Sequence, residues 1–284
     1  MKGRIVKILS NTYMVLINDQ LYECLIRGRF RKDKITLAVG DIVKVDLTSK
    51  MIEDVYKRHN HLKRPSIANI DQVLIVISAV RPKFDTNLLD KLIVMTEFNN
   101  IKPIIVITKL DLLNRSQLKI INKYLKYYRS IGYKIYKNTN LWRIKRLFKN
   151  KVSVLAGQSG AGKSTLLNRL NVKLELQTAE ISEALGRGKH TTRHVELIPM
   201  FSGLVADTPG FSALDLTDMT IIDIKQNFVE FYQIEEQCAF KNCTHRLEHN
   251  CKVKEFVESN KILNTRYDNY LKFAKEVEGV NKWS

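Results

Sequence analysis

The order of two short motifs constrains this chain more than any other feature. Thr108-Lys-Leu-Asp111 comes before the glycine-rich run Gly157, Gln158, Ser159, Gly160, Ala161, Gly162, Lys163, Ser164 and Thr165. Each motif follows an apolar run that reads as a buried parallel strand, Ile104–Thr108 and Val152–Ala156. A guanine-nucleotide fold ordinarily places its phosphate loop first and its base reader far downstream. Both motifs on strand ends, in inverted order, point to a circularly permuted α/β nucleotide-binding domain.

The glycine-rich run has a physical reading. Gly157, Gly160 and Gly162 allow positive φ and close backbone approach, so successive N–H groups can face phosphate oxygens. Helical spacing from Lys163 to Leu170 puts a helix N-terminus at the same place. Lys163 can then reach the β- and γ-phosphates, and Ser164 can ligate Mg²⁺. Asp207 ends the strand-like Leu204–Ala206 and is a candidate to hold Mg²⁺ through water. In Asp207-Thr-Pro-Gly210 the N–H of Gly210 can sense a γ-phosphate. Taken alone that tetrapeptide is also a plain turn.

Between these lies the basic loop Gly186-Arg-Gly-Lys-His-Thr-Thr-Arg-His194. Thr191 or Thr192 can ligate Mg²⁺ there when GTP is bound, and spacing does not choose between them. Phe211 stands where many GTPases carry a water-orienting Gln. An apolar ring cannot polarise water, so hydrolysis is expected to be slow until a partner orders the loop. His190 is the candidate catalytic group, with plain contact to RNA or solvent as the alternative.

Base choice rests on Asp111, whose carboxylate can accept from the guanine N1–H and 2-amino group; adenine lacks that donor pair. The stem of Lys109 covers the ring, with Leu110 between them. Thr108 replaces the more usual Asn, removing an amide that braces the phosphate loop, so somewhat weaker nucleotide affinity is expected. Lys137-Asn138-Thr139-Asn140 occupies the place of a second guanine-contact loop without the usual Ser-Ala-Lys. The competing readings are an ATP-dependent or kinase-like enzyme, against which Asp111 speaks, and a switch that binds GTP with little hydrolysis.

Charge adds a partner class. The 284 residues carry a formal +18. Residues 1–66 hold 14 basic and 7 acidic side chains, and 67–152 hold 17 and 5; beyond 152 the two signs nearly cancel. Basic charge concentrated in one half reads as a nucleic-acid footprint, set against compositional bias as the plainer explanation. No apolar stretch approaches a membrane span and no signal peptide is expected at the N-terminus. Four cysteines fit a reducing compartment better than a disulfide framework.

The fold expected is multidomain. Short alternating runs in residues 1–66 predict a five-stranded OB-like barrel, with an SH3-like barrel fitting almost as well. Arg27, Arg29, Arg31, Lys32 and Lys34 are expected in the connection after its second strand, and Lys63–Ser66 as a linker. Residues 67–215 alternate strands and helices, the pattern of a mostly parallel three-layer α/β domain. Residues 216–284 are expected to be mainly helical, with the segment from Lys254 to Glu278, carrying Tyr267 and Tyr270, helical and packed on the cysteine knuckle. Cys238, Cys243, His245 and Cys251 match a four-ligand structural Zn²⁺ site, and His249 is the competing imidazole.

The full arrangement resembles the RsgA (YjeQ) family: a basic barrel, the inverted TKLD and GQSGAGKST, the GRGKHTTRH loop, DTPG, then C-x4-C-x-H-x5-C. The resemblance implies a cytoplasmic, monomeric GTPase that binds the small ribosomal subunit and its rRNA late in assembly. Its hydrolysis would be slow alone, stimulated by that subunit, and followed by release. It also implies one Zn²⁺, and Mg²⁺ bound with GTP.

Overall fold

The computed structural model describes residues 1–33, 35–63, 65–171, 195–207 and 216–280. Five strands close a barrel: β1 (Lys2–Leu9), β2 (Thr12–Ile17), β3 (Gln20–Ile26), β4 (Ile42–Asp46) and β5 (Met51–Val55). Their order is β1-β2-β3-β5-β4; β1 pairs antiparallel with both β2 and β4, and β3 runs parallel to β5. Alternation does the work here, because every second side chain faces inward. Ile5, Val15, Ile17, Cys24, Val43, Val45 and Ile52 are buried, and Phe30 of the short helix α1 (Gly28–Lys32) joins them. Asn18 and Asn-like Asp19, with φ of 48° and 63°, form the two-residue turn that sets the β2–β3 register.

Two expectations need correction. The basic connection follows the third strand, not the second, because the β2–β3 hairpin is complete before Arg27. Lys63–Ser66 is no linker: it connects β6 (His61–Leu62) to β7 (Ile67–Ala68), which pair antiparallel. Ala68 N–H donates to Val39 O at 2.8 Å. Gly40 passes so close that an added Cβ would lie 2.0 Å from Ala68 O, so this crossing requires glycine.

Next come β8 (Gln72–Ser78), α2 (Thr86–Phe98), β9 (Lys102–Thr108), α3 (Arg115–Ser130), β10 (Lys134–Lys137), α4 (Leu141–Leu147), β11 (Val152–Ala156), α5 (Lys163–Leu170), β12 (Leu197–Met200) and β13 (Gly203–Asp207). The six strands lie in the order β10-β9-β8-β11-β13-β12. β10 runs parallel to β9 and β11 to β13, while β12 and β13 form the expected antiparallel pair. β8 and β11 are buried along their whole length, as a sheet covered on both faces demands. The strand carrying the phosphate loop is fourth in chain order yet central in the sheet. That placement is the permutation seen in space.

The C-terminal part holds α6 (Ile221–Gln226), α7 (Val229–Tyr232), α8 (Lys252–Glu258) and α9 (Asn264–Val280). The helical segment expected over Lys254–Glu278 is formed by two helices, α8 and α9. Asn260 adopts φ 57°, and the N–H groups of Lys261 and Ile262 both return to Phe256 O, the geometry that ends a helix. By contacts the chain forms two compact units. One comprises residues 1–74, 139–156 and 163–211, the other 75–138, 157–162 and 212–284.

Candidate nucleotide and metal sites

In the first unit, β11 delivers the chain to the phosphate loop. Its register with β13 sets Leu155 opposite Asp207, so both strands end side by side, where open α/β sheets present their ligand sites. Lys163 opens α5, and Leu166 and Leu167 bury the helix's inner face. Asp207 is thus the last residue of β13, at the same end of the sheet as Ala156. Gly210, His190, Thr191 and Thr192 lie outside the described residues.

In the second unit the loop itself is shaped as predicted. Gly157, Gly160 and Gly162 have φ of 136°, 72° and 96°. A Cβ on Gly157 would meet Val76 O at 2.1 Å, so no other residue fits. Ala161 N–H donates to Gln158 O and tightens the turn.

The Thr108–Asp111 segment is bonded to this loop. Thr108, buried at the end of β9, donates its hydroxyl to Ala161 O at 2.7 Å. Thr108 therefore keeps a bond to the loop where its replacement of Asn implied the loss of a brace. Lys109 sits in left-handed conformation, φ 58°, and its ammonium donates to Gly160 O at 2.9 Å and to Arg81 O. Leu110–Leu112 form one turn of 3-10 helix, with Asp111 exposed. A separate cleft of about 790 Å³ lies between Phe84, Tyr124 and Gln158; Thr108, Lys109 and Asp111 do not line it.

The cysteine cluster is also in the second unit. The ligand atoms of Cys238, Cys243, His245 and Cys251 all lie within 4.8 Å of one another. His245 Nδ1 is 3.7 Å from Cys238 Sγ and 3.4 Å from Cys251 Sγ. A tetrahedron with bonds of about 2.0–2.3 Å has edges of about 3.3–3.8 Å, so these spacings suit one metal ion. His249 is exposed and outside the cluster. Burial pushes the Cys243 thiol up to about 12 and raises Cys251, while burial and then Lys225 hold the His245 imidazole down at about 4. Metal binding here would release protons from Cys243 and Cys251 to solvent while taking the imidazole as it stands.

The sequence places Tyr267 and Tyr270 on a helical segment expected to pack on this knuckle, and they do; Glu248 and Phe231 went unremarked. The Glu248 carboxylate accepts from the N–H and hydroxyl of Thr244 and from Arg246 N–H; burial opposes its charge, yet these bonds hold it down at about 2. Tyr267 and Tyr270 of α9 donate to His245 O and Thr244 O, and Phe231 meets the His245 ring edge-on at 5.9 Å. The spacing of the two tyrosines, one helical turn apart, was the available signal.

Residues 55–217 match the RsgA GTPase family, and residues 2–51 match the RsgA N-terminal domain. The chain belongs to the RsgA GTPase family. A small ribosomal subunit biogenesis GTPase RsgA of Enterococcus faecalis is 44% identical over 98% of this chain and 96% of its own length. RsgA 2 of Oceanobacillus iheyensis is 48% identical over 98% and 97%. The crystal structure of YloQ, described as a circularly permuted GTPase, superposes with a TM-score of 0.84 at 39% identity, covering 98% of this chain and 95% of that one. YjeQ from Thermotoga maritima gives 0.86 at 34%, covering 98% of each. The RsgA-family chain is accordingly a GTPase of the class that acts in small-subunit biogenesis. No helix among the described residues is long and apolar enough to cross a membrane.

Proposed function

We propose that this protein hydrolyses GTP late in maturation of the small ribosomal subunit, in the cytoplasm, as a monomer that leaves on hydrolysis. In this reading residues 1–66 contact rRNA, 67–215 bind GTP, and 216–284 form a zinc-stiffened helical domain. Gly157 to Thr165 cradle the phosphates, with Lys163 on the β/γ oxygens. Ser164 and Asp207 hold Mg²⁺, Gly210 senses the γ-phosphate, and Thr191 or Thr192 completes the metal shell. Asp111 and Lys109 read guanine, and His190 assists water. One observation carries this reading: the Lys109 ammonium on Gly160 O joins the base reader to the phosphate loop. The relatives' printed role in small-subunit biogenesis supports the partner.

GTP hydrolysis should rise with small subunits and stay at the intrinsic rate with large subunits or neither. Equal stimulation by both subunits, or equal turnover of ATP, would overturn the assignment.

The metal is read as zinc because three thiolates and one imidazole suit a closed tetrahedral Zn²⁺ site. Protein purified without added metal should contain about one Zn per chain. Cys243→Ser should increase amide exchange in residues 238–251 while leaving β8 to β11 protected, since a structural metal supplies local folding energy. Unchanged exchange with no bound Zn would sink the zinc reading.

A further inference from the structure

We propose that the exposed side of α4 is a docking surface for unpaired RNA, in which Trp142 with Arg143 and Arg146 takes bases by stacking. This deepens the reading above, because it gives an RNA partner a second, defined contact. Trp142 is 57% exposed, an unusual setting for the largest side chain. The guanidinium of Arg143 lies 5.3 Å from its ring centroid and that of Arg146 4.8 Å. Beside them Lys145 stands 4.9 Å over the Phe201 ring, which itself packs on buried Phe148. Three cations of one short helix thus rest on aromatic faces.

Among the described residues no carboxylate is paired with them. Between Asp111 and Glu175 the chain contains neither Asp nor Glu, and Leu112–Lys151 alone carries 12 Lys and Arg. The surface therefore offers flat, weakly hydrated guanidinium planes and an indole, surrounded by positive charge. Unpaired RNA answers both features: its bases stack on aromatic rings and guanidinium planes while its phosphates meet the cations. A duplex hides its base faces, and an acidic protein segment would neutralise the charge but leave the stacking planes unfilled. A membrane is a poor fit, since Ile144 and Phe148 are fully buried and α4 has no apolar face left to insert.

The test uses the full chain with Trp283→Phe, which leaves Trp142 as the only indole. A short unstructured RNA oligonucleotide, a hairpin duplex and polyglutamate are titrated at several salt concentrations, following indole fluorescence. The oligonucleotide should quench it, and Trp142→Ala should weaken binding, followed by anisotropy of a labelled oligonucleotide, about tenfold. Arg143→Gln with Arg146→Gln should lower the slope of log affinity on log salt by about 1.4, at about 0.7 per phosphate contact. Both variants should keep the parental melting temperature and unstimulated GTP hydrolysis. Absence of quenching, oligonucleotide affinity unchanged in the variants, or polyglutamate binding as tightly as RNA would overturn the proposal. Failure of small subunits to stimulate the parent protein would instead overturn the functional reading, and leaves the oligonucleotide result to stand by itself.

Discussion

Lys163→Ala should give a folded protein whose GTP turnover falls at least about a hundredfold, with and without small subunits. Lys163 is the first residue of α5 and follows the left-handed Gly162 in the chain, so it opens a helix N-terminus, a setting that favours phosphate. Charge moves onto the γ-phosphoryl oxygens and the β–γ bridge as the transition state forms, and a fixed ammonium there gains strength at that moment. Removing one such preorganised donor costs about 10²–10³ in kcat. Leu166 and Leu167 anchor the inner face of α5, and the glycines set the loop, so circular dichroism and melting temperature should stay close to the parent. Single-turnover hydrolysis measured at saturating GTP separates lost chemistry from lost binding. Turnover within tenfold of the parent in a folded variant would mean that the phosphates are held elsewhere.

The sequence made the nucleotide-binding elements legible because each signal is local. Apolar runs of strand length, glycines at positions needing positive φ, and a lysine opening a helix are all read within a few residues of one another. Barrel alternation is local in the same sense. What escaped depends on groups far apart in the chain. Thr108 looked like a lost brace because the acceptor, Ala161 O, is visible only once β9 and the phosphate loop are adjacent. Lys63–Ser66 read as a linker because its polar composition suits a hairpin turn equally well. The break at Asn260 lies in its left-handed φ of 57° and in Lys261 and Ile262 both donating to Phe256 O, which apolar spacing alone does not show. His245 and His249 are equivalent by spacing; burial against Phe231 distinguishes them.

Arg266 was likewise unremarked as a helix residue, and its replacement is the second large effect expected. Four helices converge on it inside the second unit. Its Nε and one terminal nitrogen bind both Glu230 carboxylate oxygens at 2.7 and 2.8 Å, and the other nitrogen binds Asp90 at 2.8 Å. Asn269 and Tyr128 also donate to Asp90, and Tyr127 to Glu230. The guanidinium lies 4.3 Å from the Phe228 ring centroid, and Arg266 and Asp90 are wholly buried. Arg266→Met keeps much of the volume but strands two carboxylates without a cation, a change that typically costs about 3–5 kcal/mol. At about 2–4 °C per kcal/mol, the melting temperature should fall by roughly 6–20 °C. Adding Asp90→Asn and Glu230→Gln should restore a large part of that loss, because the uncompensated charges are then gone. The pH dependence gives an independent check. Burial already raises the Asp90 carboxyl above its usual range even beside Arg266. Without the guanidinium it rises further, and a raised acid stabilises the fold only while protonated. The gap between variant and parent should therefore narrow as pH falls toward the carboxylate range and be widest at neutral pH and above. A melting temperature unchanged at neutral pH, or a gap that widens on acidification, would show that the buried guanidinium does not hold these carboxylates in place.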